Sequence, residues 1–181
     1  MKIILLLIGF MGVSCVAAAD PAKDLKEVEA KLKESPDDPM LHTRKSQLLF
    51  ASGKEQAAID HAAVALEKFK LAGDDLAWIK LGSIETDRFR VDVHFNLGPR
   101  ERAEKKDGIV RPYSFRIYDK GDPPQLVQIL DFEIGYYKGK ASTAAIGEMI
   151  RGGHANYGIV DPKSKFSVVK KKVLNLIASK K

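Results

Sequence analysis

The hydrophobic period of this chain changes once, near Gly73 to Asp75, and the change divides the residues before it from those after it into two kinds of structure. Before it, apolar residues recur at three- and four-residue steps: Leu25, Val28 and Leu32 in one run, Ala58, Ile59, Ala62, Ala63 and Leu66 in another. That spacing keeps one face of a helix apolar. After it, Phe89, Val91, Val93 and Phe95 alternate with Arg88, Arg90, Asp92 and His94. Alternation at period two predicts a half-buried strand with one wet face. Charge changes sign at the same place. Residues 20–75 carry 9 Lys plus Arg against 12 Asp plus Glu, whereas residues 76–181 carry 20 against 12. Two regions are therefore expected, a helical one over 20–75 and a basic one over 76–181.

The helical region is punctuated by Ser35-Pro36-Asp37-Asp38-Pro39, since the residue before a proline is driven out of helical geometry. Helices are expected through Leu25 to Leu32, over Met40 to Ala51, and from Glu55 to about Leu71, with Gly53 in the tight turn. In the basic region, strands are expected at Trp78 to Ile84, Arg88 to Phe95, around Tyr113-Phe115-Ile117, and at Leu126 to Tyr136. Asp107-Gly108 and Asp119 to Pro124 read as turns. A short helix is expected over Thr143 to Ile150, then a loop from Gly152 to Gly158. Asp161-Pro162 reads as the start of a last helix, with Phe166, Val169, Val173, Leu176 and Ile177 on its apolar face. Strands followed by a helix give an antiparallel sheet, so the fold class expected is α+β: an α-hairpin, then a β-rich domain with a C-terminal helix.

The stretch Pro36 to Lys70, with Gly53 at its turn and Ala58, Ala62 and Ala65 in the second helix, resembles one tetratricopeptide repeat. The resemblance implies close helix packing through those small residues. It also implies that the helix before it belongs to an incomplete preceding unit. The aromatic and small pair usual in the first helix of the family is replaced here by His42 and by Lys45-Ser46. One and a half repeats cannot bury a solenoid core alone. The hairpin then needs a neighbour: the β domain, a second copy, or a protein partner meeting residues 36–71.

Residues 1–19 form a secretory signal pattern. Lys2 precedes an apolar run from Ile3 to Met11, and Ala17, Ala18 and Ala19 stand before Asp20, which places cleavage after Ala19. Export to a periplasmic or extracellular location follows as an expectation. Membrane association would then require an uncleaved signal or a lipidated Cys15, although Gly12 stands where a lipobox has a Leu-like residue. Cleavage after Ala19 removes the chain's one cysteine, and with it any disulfide, thiol nucleophile or cysteine metal site.

Chemistry-bearing motifs are sparse. His42, His61, His94 and His154 show no metal-ligand spacing, His42 and His61 are expected on helix surfaces, and no cofactor or metal is expected. There is no GxSxG elbow, so no catalytic residue is assigned. Asp131 and Glu133 alternate on one side of a strand, where a carboxylate pair is ordinarily solvated. The binding candidates are Arg88, Arg90 and His94 on the first clear strand, with Arg151, His154, Asn156 and Tyr157 in the glycine-rich loop. The expected function is an exported, non-enzymatic binding or scaffolding protein acting through protein–protein contacts. Two alternatives stand beside it: binding to a polyanion, anionic surface or polysaccharide, or a small-ligand or enzymatic domain using residues 151–158. Nucleic acid is a poor fit, because the aromatics fall in the inward phase of the strands.

Overall fold

The computed structural model describes residues 20–74, 77–97, 107–150 and 153–179; the signal pattern with its cleavage point and Cys15 lies outside them. Three helices come first: α1 (Pro21–Glu34), α2 (Pro39–Ala51) and α3 (Glu55–Leu71). Six strands follow: β1 (Ile79–Glu85), β2 (Phe89–Phe95), β3 (Gly108–Asp119), β4 (Leu126–Tyr137), β5 (Lys140–Ile150) and β6 (Gly153–Val160). They pair in sequence order as one antiparallel sheet, and α4 (Phe166–Ala178) closes the chain. The protein is α+β, as its order of periodicities predicts.

Local chemistry sets the helix starts. Asp20 and Asp38 each precede a proline at the first helical position and accept from the backbone two or three residues on. Asp161-Pro162 has the same dipeptide and a different outcome, which corrects the expected start of the last helix. Asp161 closes a turn, accepting from Ser164 N through its carbonyl and from Lys163 N through its carboxylate. The helix begins only at Phe166, capped without side-chain help by Lys165. The deciding contact is tertiary: Phe166 is buried against Tyr113 (5.4 Å), Phe50 (6.1 Å) and Phe115 (6.2 Å), while residues 162–165 offer no buried side chain to anchor a helical turn.

Thr143 to Ile150 is strand β5, where a helix was expected. Ala144 and Ile146 are fully buried on the helix-covered face of the sheet, opposite Ile134 and Phe132 of β4, and that alternation overrides the weak strand propensity of alanine. The expected loop from Gly152 to Gly158 is likewise strand from Gly153 onward. Its glycine content is absorbed at a bulge, where Tyr157 is skipped between the pairs Ile146↔Gly158 and Gly147↔Asn156, and Gly158 takes φ +134°. The β4–β5 hairpin turns through Lys138 and Gly139, both at positive φ.

One apolar cluster joins the two regions that composition separates. Leu49 and Phe50 of α2 and Ala58, Ile59, Ala62, Ala65 and Leu66 of α3 pack into the same core as Ile79, Val91, Phe115, Phe132 and Ile146 of the sheet and Phe166, Val169 and Val173 of α4. Each large side chain fully buried there contributes about 1.5–3 kcal/mol of gross hydrophobic stabilisation. The hairpin's requirement for a neighbour is met by β1 and α4 of its own chain. Among the described residues, no helix lies against the opposite face of the sheet.

Candidate functional site

The uncovered sheet face is built by register. Lys80↔His94, His94↔Ser114, Ser114↔Asp131 and Asp131↔Gly147 are successive cross-strand partners, so four polar side chains from β1, β2, β3 and β4 stand in one row. A second row runs Ser83, Asp92, Arg116 and Ile129. Directly opposed side chains lie about 4.5–5.5 Å apart at Cβ, close enough to interact.

Asp92 is the anchor of this face. It is only 5% exposed, on a face that no described helix covers. Lys80 Nζ donates to Oδ2 and Ser83 Oγ to Oδ1, both at 2.7 Å, and Arg90 Nε stands 3.2 Å from Oδ1. Burial pushes the Asp92 carboxyl up, but the Lys80 and Ser83 bonds with the Lys80 and Arg90 charges outweigh it, and the net shift is downward. Arg90 meanwhile lies over the ring of Tyr118, 4.7 Å from its centroid. Across the sheet, Arg111 Nε donates to Glu133 at 2.6 Å and stands 4.0 Å from Asp131. Asp131 goes the other way from Asp92: burial raises its pKa, against the hydrogen bond from Ser114 and the Arg111 charge.

The row His94–Ser114–Asp131 contains the residue types of a hydrolytic triad in the wrong order. Ser114 sits between the other two, is buried, and gives its hydroxyl to Asp131. A nucleophile must instead give its proton to a base that an acid orients. His94 Nδ1 is buried without a partner, and burial together with the Arg116 charge lowers its pKa. The expectation that His94 faces water is corrected accordingly: its ring is half-buried in the row.

The other candidates divide. Arg90 and His94 share this face. Arg88 does not, because it precedes β2 and folds its guanidinium over the Phe89 ring at 4.9 Å. There it rims a cleft of about 210 Å³ at the end of α4, with Phe89, Ile117, Val127, Gln128 and Ile177. Tyr157 is on β6, with three strands between it and β2, and donates to Glu148 Oε2 at 2.6 Å, an oxygen that also accepts from Gln128 Nε2. Asn156 Oδ1 accepts from Gly158 N, holding the bulge. Arg151 lies outside the described residues, and His154 is placed as the backbone partner of Met149.

Three exposed isoleucines on the uncovered face went unmarked by any sequence pattern. Ile129 stands beside Arg116, Ile109 opposite Gly135, and Ile159, 76% exposed, opposite Ala145. Among the described residues no three His, Cys, Asp or Glu side chains are grouped to hold a metal ion, and no helix is long and apolar enough to cross a membrane. Searches of protein-family models, curated proteins and solved structures find no match to this chain.

Proposed function

We propose that the chain is an exported, non-catalytic binding protein that meets a protein partner through the uncovered face of its sheet. The observation that carries this reading is the mixture on that face: exposed Ile109, Ile129 and Ile159 among charges already fixed by ion pairs within the chain. Isoleucine, tyrosine and arginine held in place are the components of a protein interface, in which preorganised side chains lose little freedom on binding. A polyanion fits the same face less well, because Asp131 and Glu133 stand across the sheet from Arg90 and Arg116. The hairpin, residues 36–71, spends its apolar face on β1 and α4, so the partner contact moves from the hairpin to the sheet. Export rests on the Lys2 to Ala19 pattern.

Crosslinked pull-down from the exported fraction tests the reading, with the wild-type chain, Arg116→Glu/Ile129→Glu on the sheet face and Met40→Glu/Leu71→Glu on the hairpin as baits. A partner kept by the hairpin variant and lost by the sheet variant is expected. A partner lost only by the hairpin variant, or none held by the wild type, overturns it. Sequencing the exported protein from its N-terminus checks the leader, with Asp20 as the expected first residue.

A further inference from the structure

His42 of α2 and His61 of α3 are 19 positions apart in sequence and stack in the hairpin, ring centroids 6.0 Å apart and planes 24° from parallel. Both residues are partly exposed on their helices, but each has one ring nitrogen buried. His42 Nε2 donates to the Pro36 carbonyl at 2.9 Å, which leaves Nδ1 as the nitrogen that would take a further proton. That Nδ1 is buried with no hydrogen-bond partner, and so is Nδ1 of His61. A charged His61 would therefore stand against a second imidazole with its buried Nδ1 unpartnered.

The surrounding charges sharpen the conflict. Lys45 of α2, mostly buried, is held 3.0 Å from Glu29 of α1 and lies near enough to His61 to disfavour a second positive charge. Asp60 of α3 and Glu29 act in the opposite sense on His61, and burial, the largest influence, acts with Lys45 and His42. Asp37, in the turn before α2, is engaged by Lys68 of α3. Glu29 and Asp37 are thus each taken by a lysine, and Asp60, which acts on His61 more strongly than Glu29, accepts from Gln56 Nε2.

We propose that the His42–His61 stack is an acid-sensitive latch in the helical hairpin: neutral rings hold α2 against α3, and protonation of His61 in acid loosens α1, α2 and α3 while the sheet stays folded. The sign follows from the buried nitrogens. The opened hairpin hydrates the His61 imidazolium, which burial disfavours in the closed one, so the opened form binds more protons and closure weakens as pH falls below the ordinary histidine value. This is independent of the partner surface on the sheet.

Hydrogen exchange of the full exported chain, read by peptide at about pH 7.5 and about pH 5 and corrected for intrinsic exchange, tests it. Protection in residues 39–71 is expected to fall by about an order of magnitude in acid, with β2, β3 and β4 unchanged. His61→Phe, which keeps an aromatic ring and cannot take a proton, should abolish the acid response. His42→Gln, which removes the ring altogether, should weaken it. Equal hairpin protection at both pH values overturns the proposal. So does an unaltered acid response in both variants, and so does a loss spread evenly over sheet and hairpin. Where His61→Phe fails to fold, NMR titration of the wild-type imidazoles decides: a His61 midpoint at or above the ordinary histidine value is equally fatal.

Discussion

Gly82 of β1 lies under the ring of Phe50 of α2, so close that a Cβ there would stand 2.6 Å from Phe50 Cδ1 and 3.1 Å from Cε1. This contact ties the helical hairpin to the sheet. Phe50 is buried and also meets Phe166 of α4, so its ring has little room to retreat. Gly82→Ala is expected to cost about 1–3 kcal/mol by overpacking. The same substitution in a Phe50→Leu background should cost much less, because the clashing ring atoms are gone. Urea unfolding of the four members of that cycle measures the coupling. Equal costs in both backgrounds would show that the two residues do not hold the hairpin together.

Asp92 and Asp131 occupy neighbouring rows of one sheet face and are shifted in opposite directions, so their asparagine variants should differ in sign. Asp92→Asn removes the charge and one of the two oxygens that accept separately from Lys80 and Ser83, and about 1–3 kcal/mol of stability should be lost at neutral pH. Since the Asp92 pKa is lowered on folding, its contribution is present above the ordinary aspartate range and disappears as pH falls through it. The variant and the wild type should therefore converge in acid. Asp131 has a raised pKa, so its charged form opposes folding and the stability from its protonated form is lost as pH rises. Asp131→Asn still accepts from Ser114 and should be neutral or stabilising near pH 7, by about 1 kcal/mol. Thermal unfolding at about pH 3 and about pH 7 gives both signs; a loss of the same size for the two variants contradicts the assignment.

Arg116 works on His94 across the strand pair. After burial, its charge is the largest influence holding the His94 pKa below the usual histidine value. Arg116→Gln should raise the His94 midpoint in an NMR titration, and Asp92→Asn should lower it further. A folded histidine with a depressed pKa binds fewer protons than the unfolded chain, so its penalty on stability grows as pH falls below about 6.5. The Arg116 variant should accordingly lose less stability between neutral and mildly acid pH than the wild type. No movement of the His94 midpoint would place Arg116 away from the ring.

What the sequence discloses and what it conceals follow from how far apart the interacting residues lie. Val91, Val93 and Phe95 declare their strand because one face is covered, and a covered face imposes period two on neighbouring residues. Ala58, Ala62 and Ala65 are legible for the same local reason: all are fully buried in a three- and four-residue rhythm on α3. Ala144 and Ala145 defeat such reading, since alanine marks neither period and only the pairing with β4 and β6 makes them strand. The His94–Ser114–Asp131 row was invisible because register across β2, β3 and β4 depends on a bulge between Val110 and Tyr113. The His42–His61 stack depends likewise on how α2 lies against α3. Charge patterning placed Arg90 and His94 on one face, but it could not show that Arg88, two residues away, turns over Phe89 instead.

Gly158 governs the β6 edge of the described sheet. It stands at φ +134°, and a Cβ there would fall 2.6 Å from Lys172 Nζ, which donates to the Ile159 carbonyl at 2.9 Å. Asn156 accepts from Gly158 N on the same edge. Lysine and asparagine thus occupy backbone groups of β6 that would otherwise offer themselves to another strand. Gly158→Ala forces both a strained backbone and displacement of Lys172, and should cost about 1–3 kcal/mol. Lys172→Met leaves the backbone relaxed but uncovers the Ile159 carbonyl beside the exposed Ile159 side chain, and should raise self-association with little loss of stability. Light scattering against concentration, alongside urea unfolding, separates the two effects. A monomeric Lys172→Met variant at high concentration would mean that the bulge at Tyr157, rather than the lysine, protects the edge.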